Sequence, residues 1–206
     1  HRGDVLSRVL WKVRSKAPTV TASVSKMVVA TGEGYTTIRD STGRYPLQDT
    51  VAAFHHLVED GKIRYWGVSN FDHRALAELQ DVPGTSGLTT DQVLYNLSRR
   101  GPEYDLLPWC ADHQLPVMAY SPIEQGRILD DTTLNDVAAR HSVSPAAAAL
   151  AWVLRRDSLC TIPKASSPQH VRDNATALDV ELTREDLDAL DRAFPPPSGP
   201  RPLEML

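Results

Sequence analysis

From Pro46 onward the sequence alternates short apolar runs with helical segments, and this alternation restricts the fold more than any other feature. The runs IRYWGVSN, TTDQVLYN, PVMAYSPI and LCTIPKA have the length and composition of strands. Each is followed, directly or after a loop, by a segment with helical periodicity. Repeated strand–helix units predict parallel strands with right-handed crossovers. A closed barrel and an open doubly wound sheet both satisfy this rule, so periodicity alone does not choose between them.

Two of the predicted helices have clear start signals. Ser144 and Pro145 open the segment SPAAAALAWVLRR, and these residue types are typical of the N-cap and the first helical position. Thr183 and Asp186 have the spacing of a capping box at the start of TREDLDALDRA. The segment between PVMAYSPI and Ser144 is predicted to be a loop.

Polar or small residues end each predicted strand. They are Ser69 and Asn70, Tyr95 and Asn96, Tyr120 and Ser121, and Lys164. Ligands bind at the carboxyl ends of the strands both in parallel barrels and in open parallel sheets. The sequence therefore predicts a ligand site at this end of the strands.

The first 42 residues do not continue the alternation. VLSRVLWKV has strand character, but the Ser- and Thr-rich stretch after it shows no sustained helical face. The chain of 206 residues is also somewhat shorter than the roughly 250 residues of a typical single barrel. We therefore expect one domain over residues 1–206, in which 1–42 form an atypical segment.

The charge and composition of the chain restrict the classes of binding partner. The net charge is -4 and the two signs are mixed along the chain, which argues against a nucleic-acid partner. Without an apolar run of about 18 residues, and with charges throughout the N-terminal stretch, we expect a cytoplasmic protein with no membrane segment. Cys110 and Cys160 lack the spacing of zinc ligands, so we expect buried thiols and no metal site. Nothing in the sequence predicts the oligomeric state.

Several distinctive motifs follow one another after the atypical segment: GKIRYWGVSNF, DQVLYNLSRRGPEYDLLPWC, AYSPIEQGR, IPKASSPQHVRDN and the ending LDRAFPPPSGPRPLEML. Through these motifs the chain resembles the aldo-keto reductase family, and its bacterial members in particular, over about residues 43–206. The resemblance implies a (β/α)8 TIM barrel that is incomplete or irregular at its N-terminus. It also implies an NADP(H)-dependent oxidoreductase that reduces aldehydes or ketones to alcohols, with a small carbonyl compound as substrate.

The resemblance extends to the nicotinamide end of a cofactor site. Ser69, Asn70 and Gln92 match the residues that hydrogen-bond the nicotinamide carboxamide. Tyr120 matches the aromatic residue on which the nicotinamide ring stacks. Three amide-recognising side chains suit a carboxamide, because leaving its donors and acceptors unpaired in a dry site would be costly.

Further matches cover the pyrophosphate and the adenosine end. The loop along the pyrophosphate comprises Ser121, Pro122, Ile123, Gln125 and Gly126. The adenosine segment comprises Lys164, Ser166, Ser167, Asp173 and Asn174, with Lys164 as the partner of a 2'-phosphate. His170 stands where many members have arginine, and a neutral imidazole cannot make the bidentate phosphate contact of a guanidinium. The expected cofactor is therefore NADP(H), with NAD(H) as the alternative.

The family's catalytic groups are the part of the resemblance that this sequence does not supply. The family donates a proton from a tyrosine whose pKa is lowered by a lysine, supported by an aspartate and a histidine. The sequence contains no DxxxxYGNE-like motif for the tyrosine and the aspartate. Lys12, in VLSRVLWKV, has a context comparable to that of the lysine, while Asp40 or Ser41 stands where the histidine is expected. The sequence therefore leaves the activity of this chain open.

Other interpretations stay open beside the reductase. One is a non-catalytic protein that binds a nicotinamide dinucleotide on the same barrel. Another is an unrelated barrel enzyme whose acid and base come from Asp40, Asp91 or Glu124. The change of character near Thr42 also motivates the hypothesis that the upstream segment is a frame-shifted version of family sequence, which translation of the coding DNA in its other two frames tests.

Overall fold

The computed structural model describes residues 27–31, 34–38 and 47–206, and within this part of the chain one sheet of six strands carries the fold. Lys12, Asp40 and Ser41, which the sequence analysis singled out, lie outside the described residues. The strands are β1 (Met27–Thr31), β2 (Gly34–Ile38), β3 (Tyr65–Ser69), β4 (Leu88–Leu94), β5 (Val117–Tyr120) and β6 (Leu159–Thr161). Their order in the sheet is β2-β1-β3-β4-β5-β6.

Strands β3 to β6 are parallel and follow chain order, as the alternating pattern predicts. Ser69 pairs with Gln92, Gln92 with Met118, and Met118 with Cys160. Because paired residues of a parallel sheet share a face, these four side chains line one face near the carboxyl ends of the strands. The register thus gathers residues that lie far apart in sequence.

The N-terminal side of the sheet departs from a regular parallel barrel. β1 runs antiparallel to both β2 and β3. Among the described residues the sheet stays open, with β2 and β6 as its edges. This agrees with the expectation that the barrel is irregular at its N-terminus.

The described part of the chain contains seven α-helices. They are α1 (Leu47–Glu59), α2 (His73–Gln80), α3 (Leu106–Asp112), α4 (Thr132–Arg140), α5 (Pro145–Leu154), α6 (Pro168–Ala175) and α7 (Arg184–Ala193). Both predicted helix starts are confirmed. The side chain of Ser144 accepts a hydrogen bond from the backbone of Ala147, and Thr183 and Asp186 form a capping box. No helix in the described ranges is long and apolar enough to cross a membrane.

The prediction of a loop before Ser144 was wrong, because α4 occupies part of that segment. Asp131 caps it by accepting a hydrogen bond from the backbone of Leu134. Only Leu134, Val137 and Ala138 of this helix are buried. These three positions have helical spacing, so the sequence did contain the signal, but a helix of nine residues offers only one such set.

The core lies between the sheet and its helices. Phe54 of α1 stacks on Trp66 of β3 with ring centroids 5.5 Å apart, and Tyr95 stacks on Trp152 of α5 at 5.4 Å. The Tyr95 hydroxyl donates to Glu103 at 2.6 Å, and burial raises the pKa of this phenol above its ordinary value. Tyr95 therefore belongs to the core and not to the ligand site, although it follows the end of β4.

The two cysteines differ in environment. Cys110 of α3 is buried, and burial, together with the charge of Asp91, raises the pKa of its thiol to about 12. Cys160 lies within β6 and is only partly buried. Neither forms a disulfide. The predicted burial of both thiols is therefore right for Cys110 and only in part for Cys160.

Candidate functional site

Three of the predicted cofactor residues meet where β3 and β4 end. The Ser69 hydroxyl and the Asn70 backbone N–H both donate to the carbonyl oxygen of Gln92, each at 2.9 Å. Ser69 is 5 % exposed, and Asn70 and Gln92 are each 8 % exposed. Asn70 has a φ of 59°, in the left-handed region that non-glycine residues seldom adopt and that is often found at functional sites. The chain thus turns sharply here, and Ser69 and Asn70 are both fixed to the backbone of Gln92.

The side-chain amide of Gln92 is oriented by Met118 on the neighbouring strand. Gln92 Nε2 lies 2.9 Å from Met118 Sδ. A thioether sulfur can accept a hydrogen bond but cannot donate one, so the NH2 group faces the sulfur. Gln92 Oε1 is then directed away from Met118 and can accept from a ligand N–H. Sequence reasoning missed Met118, because its role depends on the register between β4 and β5.

Tyr120 is the last residue of β5 and lies on the same face as Gln92. It is two residues beyond Met118, which pairs with Gln92, and side chains two residues apart in a strand share a face. The Tyr120 hydroxyl donates to Asn70 Oδ1 at 3.2 Å. A half-buried aromatic ring therefore lies beside the amide-recognising residues, as the proposed stacking of a nicotinamide ring requires.

The loop after β5 is tightly folded. Ser121, Glu124 and Gln125 have φ values of 50°, 49° and 57°, and Gly126 has a φ of 91°. Backbone hydrogen bonds run from Glu124 to Ser121 at 2.9 Å and from Gly126 to Ile123 at 2.8 Å. Pro122 is buried, Ile123 packs against the core, and Gln125 is exposed. The predicted pyrophosphate residues thus form one compact turn.

Asn96 and Glu124, neither of them expected in the cofactor site, tie this turn to the end of β4. Asn96 is fully buried, and its Nδ2 donates to Ser121 O at 2.9 Å and to Glu124 Oε2 at 2.8 Å. Glu124 is 3 % exposed and also accepts from Arg99. In the sequence, the only indication of these contacts was that β4 was predicted to end in the polar residues Tyr95 and Asn96.

The structure gives no support to Glu124 or Asp91 as the acid or base of an unrelated enzyme. Such a group must reach the substrate. The Glu124 carboxylate is buried and engaged by Asn96 and Arg99. Asp91 is fully buried and, next to Gln92 in β4, faces the helices on the other side of the sheet.

The predicted adenosine residues lie just before α6 and within it. Lys164 is exposed. Ser167 is the N-cap of α6 and accepts from the backbone of His170, while Ser166 Oγ lies 3.2 Å from His170 Nδ1. Asp173 accepts from Gln169 at 2.8 Å, and Asn174 is buried. The segment joins an exposed cation to the N-terminal end of a helix, a combination that suits a phosphate group.

Comparison with known proteins places this site in a family context. Residues 19–194 match the aldo/keto reductase family, so the match begins upstream of residue 43, where the resemblance was first evident. A methylglyoxal reductase of Escherichia coli (strain K12) is 46% identical over 170 residues, covering 80% of this chain and 60% of the relative. A glyoxal reductase of Bacillus subtilis (strain 168) is 34% identical over 165 residues, covering 80% of this chain and 58% of the relative.

A solved structure of the same family is also matched over part of its length. The crystal structure of an aldo/keto reductase from Klebsiella pneumoniae in complex with NADP and acetate superposes with a TM-score of 0.77 and is 44% identical. The superposition covers 82% of this chain and 60% of that one. This chain thus spans about three fifths of the length of the relatives it matches.

Proposed function

The chain belongs to the aldo/keto reductase family and has part of its (β/α)8 barrel fold, and on this premise we propose that it binds NADP(H) at the carboxyl ends of β3 to β6. The observation that carries the proposal is the meeting of Ser69, Asn70 and Gln92 at one strand end, with the Tyr120 ring on the same face. Amide and hydroxyl groups beside an aromatic ring suit a nicotinamide carboxamide and its ring.

The residues present fit such a cofactor. Ser121 Oγ, at the start of the loop after β5, is buried and has no hydrogen-bond partner among the described residues. A buried hydroxyl without a partner costs about 1–3 kcal/mol, and a phosphate or ribose oxygen would remove that cost. The Klebsiella pneumoniae relative contains NADP, which supports the same assignment.

Each part of the site has a defined task in this proposal. Ser69, Asn70 and Gln92 hold the carboxamide, Tyr120 covers one face of the ring, and residues 121–126 follow the pyrophosphate. Lys164 and the start of α6 hold the adenosine end. When bound, NADPH supplies the hydride for reduction of a carbonyl compound to an alcohol. Covering one ring face leaves only the other open to the substrate.

We propose small aldehydes or ketones as substrates, and compounds with two adjacent carbonyl groups in particular. The support comes from the relatives, of which one is a methylglyoxal reductase and another a glyoxal reductase. We further propose a cytoplasmic location.

A second candidate function is non-catalytic binding of the dinucleotide. It is favoured by the presence of the cofactor motifs together with the absence of a DxxxxYGNE-like motif in the sequence. Losing the acid catalyst typically costs about 10²- to 10⁴-fold in rate, whereas binding does not depend on it.

One pair of measurements separates these functions. NADPH fluorescence is titrated with the full chain, and the loss of NADPH absorbance is followed after addition of methylglyoxal. Saturable binding with turnover supports the reductase, and saturable binding without turnover supports the binding protein. Failure to bind NADPH contradicts both.

A further inference from the structure

The turn from Ser121 to Gly126 has a backbone that its own sequence does not favour. Three non-glycine residues in it have left-handed φ values, and bulky L-residues adopt this region at a cost. Such a conformation persists only where surrounding contacts fix it. Two backbone hydrogen bonds lie within the turn, and side-chain contacts from Asn96 and Arg99, outside the turn, add to them.

Glu124 makes side-chain contacts with two residues outside the turn. Arg99 donates to Glu124 Oε1 from Nε and from Nη2, both at 3.1 Å, while Asn96 donates to Oε2 at 2.8 Å. The carboxylate is therefore engaged on both oxygens. The side chain of Glu124 is 4% exposed, whereas that of Arg99 is 34% exposed, so the pair lies at the boundary between the core and the solvent.

Arg99 is the nearer of two cations beside the Glu124 carboxylate. Arg127 lies 3.6 Å from the same Glu124 oxygen, and Arg99 Nη1 makes a second ion pair with Glu204 at 2.6 Å. Without Arg99, the Glu124 carboxylate would be left partly unpaired below a turn assigned to a pyrophosphate. A buried charge that loses its partner is costly, and like charges repel.

We propose that the Arg99–Glu124 ion pair is a positioning device for the dinucleotide: it holds residues 121–126 in the shape that receives the pyrophosphate and neutralises the carboxylate beneath it. The inference rests on the proposed function and deepens it. Neither residue touches the cofactor in this account, since both act through the backbone of the turn and through the local charge.

A double-mutant cycle tests the proposal. Arg99→Met removes the cation and exposes the carboxylate, so we expect NADPH to bind about 10- to 100-fold more weakly. Glu124→Gln keeps the shape and removes the charge, so we expect a smaller loss of about 3- to 10-fold. In the double variant the repulsion is gone, and NADPH should bind more tightly than it does to Arg99→Met alone.

A matched control is available elsewhere in the chain. Arg140 pairs with the buried carboxylate of Asp186, and the side chains of this pair are 47% and 2% exposed. Arg140→Met therefore breaks a comparable ion pair away from the turn and should leave NADPH affinity unchanged. Adenosine 2'-monophosphate, which lacks the pyrophosphate, should bind equally well to all variants.

The outcomes are distinct. If the unmodified chain does not bind NADPH, the proposed function itself fails. If it binds NADPH and Arg99→Met binds equally well, the ion pair does not position the turn. The inference is also overturned if adenosine 2'-monophosphate loses affinity in parallel with NADPH, or if Arg140→Met weakens NADPH as much as Arg99→Met does. A loss confined to the pyrophosphate-containing ligand, with recovery in the double variant, supports it.

Discussion

The hydroxyl of Tyr120 is joined to the side-chain oxygen of Asn70 by a hydrogen bond of 3.2 Å that passes over the end of β4. The bond links the last residue of β5 to the residue after β3. With its oxygen taken up by Tyr120, Asn70 keeps its NH2 group as a donor for a ligand. Tyr120 thus has two proposed roles: its hydroxyl orients Asn70, and its ring stacks on the nicotinamide.

Substitution of Tyr120 separates these two tasks. Tyr120→Ala removes the stacking surface, so NADPH should bind about 10- to 100-fold more weakly. Tyr120→Phe keeps the ring and loses only the hydrogen bond, so the loss should stay within about 5-fold. Titration of NADPH fluorescence measures both, and Tyr104→Ala, at an exposed tyrosine, is the control. Equal losses for the Phe and Ala variants would contradict stacking.

Met118 should matter only for ligands that have the carboxamide NH2 group. Met118→Leu keeps the volume and removes the acceptor that orients Gln92, so NADPH affinity should fall by about 3- to 10-fold. The 3-acetylpyridine analogue of NADPH lacks this NH2 group, and its affinity should change by less than about 2-fold. Competition titrations give both values, and Met205→Leu at an exposed methionine is the control. A parallel loss for both ligands would indicate a packing defect.

Cofactor preference should depend on Lys164 and His170. Lys164→Gln removes the cation assigned to the 2'-phosphate, so NADPH should bind about 10-fold more weakly while NADH is unaffected. His170→Arg introduces a bidentate donor and should raise the preference for NADPH. Dissociation constants for the two cofactors test this, with Lys62→Gln as a control at an exposed lysine. If the ratio of the NADPH and NADH dissociation constants is unchanged in these variants, the adenosine end of the cofactor binds elsewhere.

Asp186 should stabilise the fold in a pH-dependent way. Burial alone would raise the pKa of this carboxyl, but hydrogen bonds from His141, Thr183 and Arg140 outweigh burial and hold the pKa below its ordinary value. A lowered folded-state pKa contributes stability above the unfolded pKa of about 3.9, and this contribution is lost as the pH falls further.

Replacement of the carboxylate measures that contribution. Asp186→Asn should lower the free energy of unfolding by about 2–4 kcal/mol near neutral pH, since it removes the charge of a buried ion pair and weakens a capping box. Urea denaturation near pH 7 and near pH 3 measures the difference, which should shrink in acid. Asp188→Asn, in the exposed pair with Arg184, should change stability by less than about 1 kcal/mol. A constant difference at both pH values would exclude the linkage.

Local sequence signals were sufficient where the structure depends on local contacts. The capping residues Ser144 and Thr183 begin helices as predicted, and Ser69 and Tyr120 are the last residues of β3 and β5. The parallel order of β3 to β6 also follows from the alternation, because neighbouring strands joined by helical crossovers run in the same direction. The family resemblance then indicated a barrel rather than an open sheet.

Contacts between residues on different strands and loops could not be predicted from the sequence. The orientation of Gln92 by Met118 depends on the register of β4 and β5, and the burial of Glu124 depends on Arg99 from another loop. Neither contact produces a periodic pattern in the sequence. The antiparallel strand β1 was missed for another reason, since its surrounding stretch is rich in Ser and Thr and has no sustained apolar pattern.

The position of β4 between β3 and β5 implies that the two ends of the site differ in hydrogen-exchange protection. Gln92 belongs to a buried strand that is paired on both sides, where amide protons exchange most slowly. Lys164 and α6 instead follow β6, a strand of three residues that pairs on one side only among the described residues. We therefore expect the proposed nicotinamide end to exchange its amide protons slowly, and the proposed adenosine end to open more readily.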